Sequence, residues 1–236
     1  MTEQEHTQNS ENPKKSEIFE NSSKAEVFGA TKSKDKQDFV GFKIFDKYDT
    51  SGIFVEDVGL KNVINLEPKL ILKSEGRNVV KHGQTKINLV ERLMNKFSVG
   101  GHRGKKHKIQ KGKSTGKYTK NMNIILNAFD MIEKKTGKNP VAVLVKAVEN
   151  AAPRDEITII EYGGARYPQA VDVSPLRRVN LALKHLIHGA GDKAFNKKKT
   201  IAQAIAEEII LASENNGESF AIRKKKESES QADSAR

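Results

Sequence analysis

The chain contains no cysteine, which excludes disulfide scaffolds and thiolate-held metal sites. It also lacks any run approaching the ~18 uninterrupted apolar residues that a membrane-spanning helix requires, so a soluble protein with no membrane partner is expected. The opening Met-Thr-Glu-Gln-Glu-His is polar and acidic, without the basic start or apolar block of a secretory signal, and none is expected. No segment repeats at a fixed period, which argues against a solenoid. Catalytic constellations are equally scarce. His185 and His188 stand three apart in one helical stretch, but no third or fourth ligand accompanies them, so no metal is expected. Acidic neighbours such as Asp155-Glu156 and Glu207-Glu208 point apart on a helix or strand and make poor catalytic pairs. The serines lack an elbow motif or an obvious base. Enzymatic chemistry has no positive support, and no cofactor is implied.

Positive charge is what the chain has in excess. Lys plus Arg number 42 against 30 Asp plus Glu, a formal net charge of +12, so a polyanion is the expected partner. The surplus is unevenly placed. Through Asp38, eight acids outnumber six bases, so all of the excess lies on the part of the chain that reads as folded. That placement favours a specific polyanion-binding domain over a sticky tail. A hydrophobic content of 36% suits one modest core with extensions better than two full domains.

Residues 1–38 are polar and poor in large apolar side chains, so a disordered tail is expected there. From Phe39 to Leu72 mixed texture with Gly41, Gly52 and Gly59 reads as extended or short-strand structure. Helical spacing then takes over. Ile87, Val90, Leu93, Met94 and Phe97 form one apolar face, leaving Glu91, Arg92 and Lys96 for the other. Met122, Ile125, Leu126, Phe129 and Ile132 repeat the pattern, and Thr136-Gly137-Lys138-Asn139-Pro140 ends that helix and caps a buried one from Val141 to Asn150. Glu156 to Tyr162 and Tyr167 to Val173 are β-prone and flank Gly163-Gly164, which predicts a hairpin projecting from a helical body, with Pro168 on an edge. Ser174 and Pro175 open a helix carrying Leu176, Val179, Leu183, Leu186 and Ile187. Thr200-Ile-Ala-Gln203 is a capping box opening the last clear helix, with Gly217 just past its end. The expected fold is mainly α: a helical bundle with a protruding two-stranded β-hairpin arm and a disordered N-terminal tail.

Between Gly101 and Lys120 lie eight bases, Arg103, Lys105, Lys106, Lys108, Lys111, Lys113, Lys117 and Lys120, and no acid. A solvated connector seldom runs so long without a compensating charge, whereas phosphate contacts that release counterions would account for it. The same stretch contains Gly112-Lys-Ser-Thr-Gly116-Lys117. It fails as a nucleotide-cradling loop, because three residues separate the glycines and Tyr118 follows where a magnesium-binding hydroxyl is needed. Further basic clusters are Arg177-Arg178, Lys197-Lys198-Lys199 and Arg223-Lys224-Lys225-Lys226. The first two sit at helix starts, where they oppose the macrodipole, and such placement points to anion contact. Arg77, Lys81, Arg92, Arg154 and Arg166 complete the candidate RNA-binding set. Two helices and a ribbon beside basic residues also imitate a winged helix-turn-helix DNA-binding regulator, which is the alternative reading.

From NLVER (Asn88 to Arg92) and LMNKF onward, the chain resembles the S-seven family of small-subunit ribosomal proteins. The resemblance continues in order through KTGKNPVAVLVKAVENAAPR (Lys135 to Arg154), YGGARYPQAVDVSPLRRVNLALKHL (Tyr162 to Leu186), KKTIAQAIAEEIILA from Lys198 and SFAIRKKKE from Ser219. GLKNVINLEP (Gly59 to Pro68) looks like the N-terminal extension of the archaeal and eukaryotic branch, whose eukaryotic members are called S-five. Compact length and the absence of cysteine favour the archaeal side. The resemblance implies a non-enzymatic monomer within the ribosome, bound to the three-prime major domain of small-subunit ribosomal RNA and acting early in head assembly. It also implies an arm, with its tip at Tyr162, Gly163, Gly164 and Tyr167, reaching toward exit-site tRNA and the mRNA path beside the S-eleven protein and other head proteins. The organisation so implied is a tail at 1–38, an extension at 39–86, an RNA-binding body at 87–227 with its arm at 156–173, and a C-terminal tail at 228–236. Ile159 stands where relatives carry a base, and Glu156 and Glu161 make the first arm strand unfavourable to phosphate. Arg154 and Arg166 remain as the arm's candidate contacts.

Overall fold

The computed structural model describes residues 43–69, 72, 81–99 and 116–236. The expected tail at 1–38 and most of the base-rich stretch lie outside them. Seven α-helices and one hairpin follow in order: α1 (Val58–Lys61), α2 (Leu89–Ser98), α3 (Tyr118–Thr136), α4 (Pro140–Ala151), β1 (Asp155–Tyr162), β2 (Ala165–Asp172), α5 (Pro175–Ala194), α6 (Ile201–Ser213) and α7 (Phe220–Ser234). A 3₁₀ turn at Gly83–Lys86 precedes α2.

The helix starts follow local chemistry. Asn88 Oδ1 accepts the Val90 N–H (2.9 Å) and Asn139 Oδ1 accepts the Val141 N–H (3.0 Å), each satisfying an orphan donor of the first turn. Thr200 and Gln203 form the reciprocal capping box that their spacing predicts. The most apolar helix, α6, packs against α3, α4 and α5, and its Ala204, Ile205, Ile209 and Ala212 are buried with Phe129, Ile132, Leu144 and Leu183. Glu208 is fully buried on the same helix. It accepts hydrogen bonds from Ser219 Oγ (2.8 Å) and the Ala221 N–H (3.2 Å) and pairs with Lys193 (2.6 Å), so it anchors the start of α7. Close packing there requires Gly189, since a Cβ at that position would lie 2.7 Å from Glu208 Oε1 and from Phe220 Cβ.

Three expectations are corrected. The stretch expected to be extended or short-strand, Phe39 to Leu72, forms no sheet among its described residues. It lays Ile44, Tyr48, Leu60 and Leu72 into the core, contains the single helical turn α1, and is tied to the start of α2. That tie is a parallel bridge between Asn65 and Asn88, with Asn65 Nδ2 donating to the Lys86 carbonyl (2.8 Å) and Asn88 Nδ2 to the Glu67 carbonyl (2.8 Å). Secondly, Glu91 and Arg92 are not on an outer face: both are buried. Thirdly, the expected C-terminal tail at 228–236 is helical through Ser234, because α7 continues across it and buries Ala232.

The hairpin pairs fully from Asp155↔Asp172 to Tyr162↔Ala165, and Gly163 and Gly164 supply the positive φ its tight turn requires. Among the described residues no third strand pairs with either edge, so Pro168 opposite Ile159 costs no ladder bond there. The root is half-buried and the outer half exposed. The root is held from two sides. From α7, Glu229 accepts the Arg154 N–H (3.0 Å), Ser228 Oγ donates to the Asp155 carbonyl (3.2 Å), and Arg236 pairs with Asp155 (2.6 Å). From α5, Arg177 grips Glu156 with Nε and Nη2 on the two carboxylate oxygens (2.5 and 2.8 Å).

Candidate nucleic-acid interface

Helical geometry sends the adjacent arginines Arg177 and Arg178 in different directions, since neighbours on a helix do not share a face. Arg178 turns inward: its Nε donates to the Pro153 carbonyl (3.1 Å) and its Nη2 pairs with Asp57 (2.8 Å). Asp57 also accepts the Gly59 N–H (2.8 Å), capping α1. Burial alone would push the Asp57 carboxyl up, but the Arg178 guanidinium and the Gly59 N–H outweigh it and hold the carboxyl below its ordinary value. Arg178 is thus a latch between the N-terminal segment, the arm root and α5.

Arg92 is a second inward base. Its Nη1 donates to the Val63 carbonyl (3.0 Å) and its Nη2 to Asn180 Oδ1 (3.3 Å), and Asn180 passes the contact on to Gln84 (3.1 Å). Burial pulls its pKa down to about 10, so it stays charged at neutral pH. This guanidinium pins α2, α5 and the segment after α1 together and is buried, not at the surface like the bases that neighbour it.

Those neighbours line a groove of about 530 Å³ between the 82–86 turn, α2 and the first half of α5. Its walls carry His82, Lys96, Arg177 and Lys184 with Thr85, Ser174 and Asn180, and no acid. Burial, and then the charge of Lys184, pulls the Lys96 ammonium below its ordinary value. Two like charges facing one half-closed groove destabilise the isolated protein and are relieved by an anion between them. Ser174 occupies the cap position of α5 without a side-chain bond to the first-turn amides, so the positive end of a long helix opens on the same groove. Lys96, Lys184 and His82 were missed as candidates in the sequence. The available signal was spacing: Lys184 follows Arg177 by seven residues, two turns along one face.

Other candidates divide by partner. Arg166 pairs across the hairpin with Glu161 (3.4 Å), Lys199 with Glu207, and Lys224 with Glu227 (2.6 Å). Lys225 donates to the Asn150 carbonyl (2.9 Å), and burial lowers its pKa. Lys81, Lys117, Lys120, Arg154, Lys197, Lys198, Arg223 and Lys226 are exposed. Arg77, Arg103, Lys105, Lys106, Lys108, Lys111 and Lys113 lie outside the described residues. At the arm tip, Tyr162, Tyr167, Ile159 and Ile160 are all largely exposed. Register places Ile160, Tyr162 and Tyr167 on one face of the ribbon and Ile159, Pro168 and the Glu161–Arg166 pair on the other. Of the two arginines at the start of α5, Arg178 is committed inside and is not offered to a nucleic-acid groove.

An acid-free groove on a helical body with a ribbon arm coincides with a match to the family model described as ribosomal protein S7p/S5e over residues 71–236. The chain belongs to this family. It falls in the archaeal branch: over 196 residues it is 50% identical to small ribosomal subunit protein uS7 of Nanoarchaeum equitans, covering 82% of this chain and 98% of that one. The uS7 proteins of Methanosphaera stadtmanae and Archaeoglobus fulgidus are each 44% identical, over 83% and 82% of this chain and 100% and 94% of their own lengths. In this S7p/S5e chain the groove between α2 and α5 holds Lys96 and Lys184 with no acid among its lining residues.

Proposed function

We propose that the protein is a structural, RNA-binding constituent of the cytoplasmic small ribosomal subunit, and that it binds the three-prime major domain of small-subunit ribosomal RNA to help fold the subunit head. One observation carries the reading: the α2/α5 groove gathers Lys96 and Lys184 with no acid among its lining residues, beside an Arg177 whose guanidinium is held by Glu156, on a chain of the S7p/S5e family. Affinity then comes from many phosphate contacts and selectivity from fit to a folded RNA junction. In this reading 39–86 is the extension of the archaeal and eukaryotic branch and 87–227 is the RNA-binding body. The arm, 156–173, serves a neighbour more than the RNA backbone, because its one base, Arg166, is already paired with Glu161 while its tip offers apolar and aromatic surface. Exit-site tRNA, the mRNA path and the S-eleven protein are the neighbours proposed for it.

Binding is tested by competition. Labelled archaeal head-domain RNA should be displaced by unlabelled copies of itself and poorly by duplex DNA of equal length. Equal displacement by duplex DNA would favour the DNA-binding alternative. Co-sedimentation of the protein with small subunits tests the assembly role.

A further inference from the structure

Phe195 sits in the turn between α5 and α6 with 57% of its surface exposed. Its backbone is fixed on both sides. The Phe195 N–H donates to the Gly191 carbonyl (3.0 Å), and Asn196 follows at φ 54°, in the left-handed region, where the chain turns toward α6. A phenyl ring left in water forgoes one of the larger burial gains a side chain can make. The ring is followed in the same turn by Lys197 and Lys198, both exposed and without an ion pair among the described residues. Lys199, which is paired with Glu207, completes the run.

Phe220 shows the contrast. Arg223 and Lys224 each approach its ring centroid to 6.0 Å and His185 to 6.2 Å, so that ring is already engaged by its own chain. Among the described residues, no ring or cation contact engages Phe195.

An open aromatic face beside unpaired ammonium groups is how proteins hold unpaired nucleotides: the ring stacks on a base and the charges meet its flanking phosphates. Only two side-chain torsions are frozen in doing so, and the backbone is already set. We propose that Phe195 is a stacking platform for one unpaired nucleobase, with Lys197 and Lys198 on the adjoining phosphates. The inference rests on the RNA-binding reading and adds a base contact to a surface otherwise directed at phosphate.

The chain has no tryptophan, so Phe195→Trp installs a single indole reporter. The full chain and its variants are titrated with archaeal small-subunit ribosomal RNA at several salt concentrations, with circular dichroism to confirm folding. Phe195→Trp and Phe195→Tyr should bind like the native chain, and the indole emission should be quenched on binding. Phe195→Leu and Phe195→Ala should bind about tenfold more weakly with an unchanged salt slope, because the change removes a stacked base and leaves every phosphate in place. Lys197→Gln with Lys198→Gln should instead lower the slope. Full affinity in Phe195→Leu, or indole emission that ignores the RNA, would overturn the platform and assign the ring to a protein neighbour. If the native chain does not bind the RNA at all, the RNA-binding reading falls and the platform with it.

Discussion

The arm and the α2/α5 groove use similar basic residues to opposite ends. In the arm and its root, arginine meets acid: Arg177 on Glu156, Arg166 on Glu161, Arg236 on Asp155. In the groove, Lys96 and Lys184 face each other with no acid on the walls. Paired bases position the ribbon, whereas unpaired ones are left for a ligand. The difference shows that a basic residue in a nucleic-acid-binding chain acquires its role from its neighbours, and Arg177 belongs to both regions at once.

The largest expected effect concerns a base beneath the groove. Arg92→Ala should destabilise the fold by about 3 kcal/mol, since it strips two acceptors of a buried, charged donor, and urea denaturation measures it. A folded Arg92→Ala protein of native stability that had lost RNA affinity would move Arg92 out of the scaffold and into the interface. Next, Lys96→Gln with Lys184→Gln should weaken RNA binding on the order of tenfold to a hundredfold. The slope of log affinity against log salt should fall by roughly 0.7–0.9 for each phosphate that the protein no longer neutralises. Arg166→Gln should change affinity less than about twofold. Equal losses at the two places would erase the contrast between groove and arm.

A smaller effect is carried by Asp57. Its folded pKa lies below the unfolded one, so its contribution is present above the unfolded value near 4 and fades as pH falls through the folded value. Asp57→Asn should cost about 1 kcal/mol at neutral pH and flatten the acid limb of the stability curve. The smallest effect is at Lys96, whose folded pKa is depressed. The unfolded chain binds the extra proton, so stability of the free protein rises with pH between the folded value and the ordinary one. RNA should reverse this by raising the Lys96 pKa, which NMR titration of the lysine side chains would detect.

Much of the body was legible because its helices are bounded by local chemistry. Asn139-Pro140, the Thr200 capping box and Gly163-Gly164 act within four residues of chain and need no partner. Arg92 was not legible, because periodicity assigns a charged side chain to solvent and the acceptors that turn it inward, the Val63 carbonyl and Asn180 Oδ1, lie 29 and 88 positions away. The end of α7 hid for a related reason. Its polar residues pack against polar backbone of the arm root, so composition alone reads as a tail. Asp57 and Arg178 stand 121 residues apart, and neither residue's local sequence announces the other.

The hold of α7 on the arm root has a consequence for the order of events during synthesis. Ser228, Glu229 and Arg236 follow their partners at Arg154 and Asp155 by 73, 75 and 81 residues. At translation rates of ~5–20 residues per second, the hairpin precedes its α7 contacts by roughly 4–15 s. Two complementary strands can pair within microseconds. The nascent ribbon therefore has at most its α5 hold, Arg177 on Glu156, while α6 is still being made, and its α7 brace comes last.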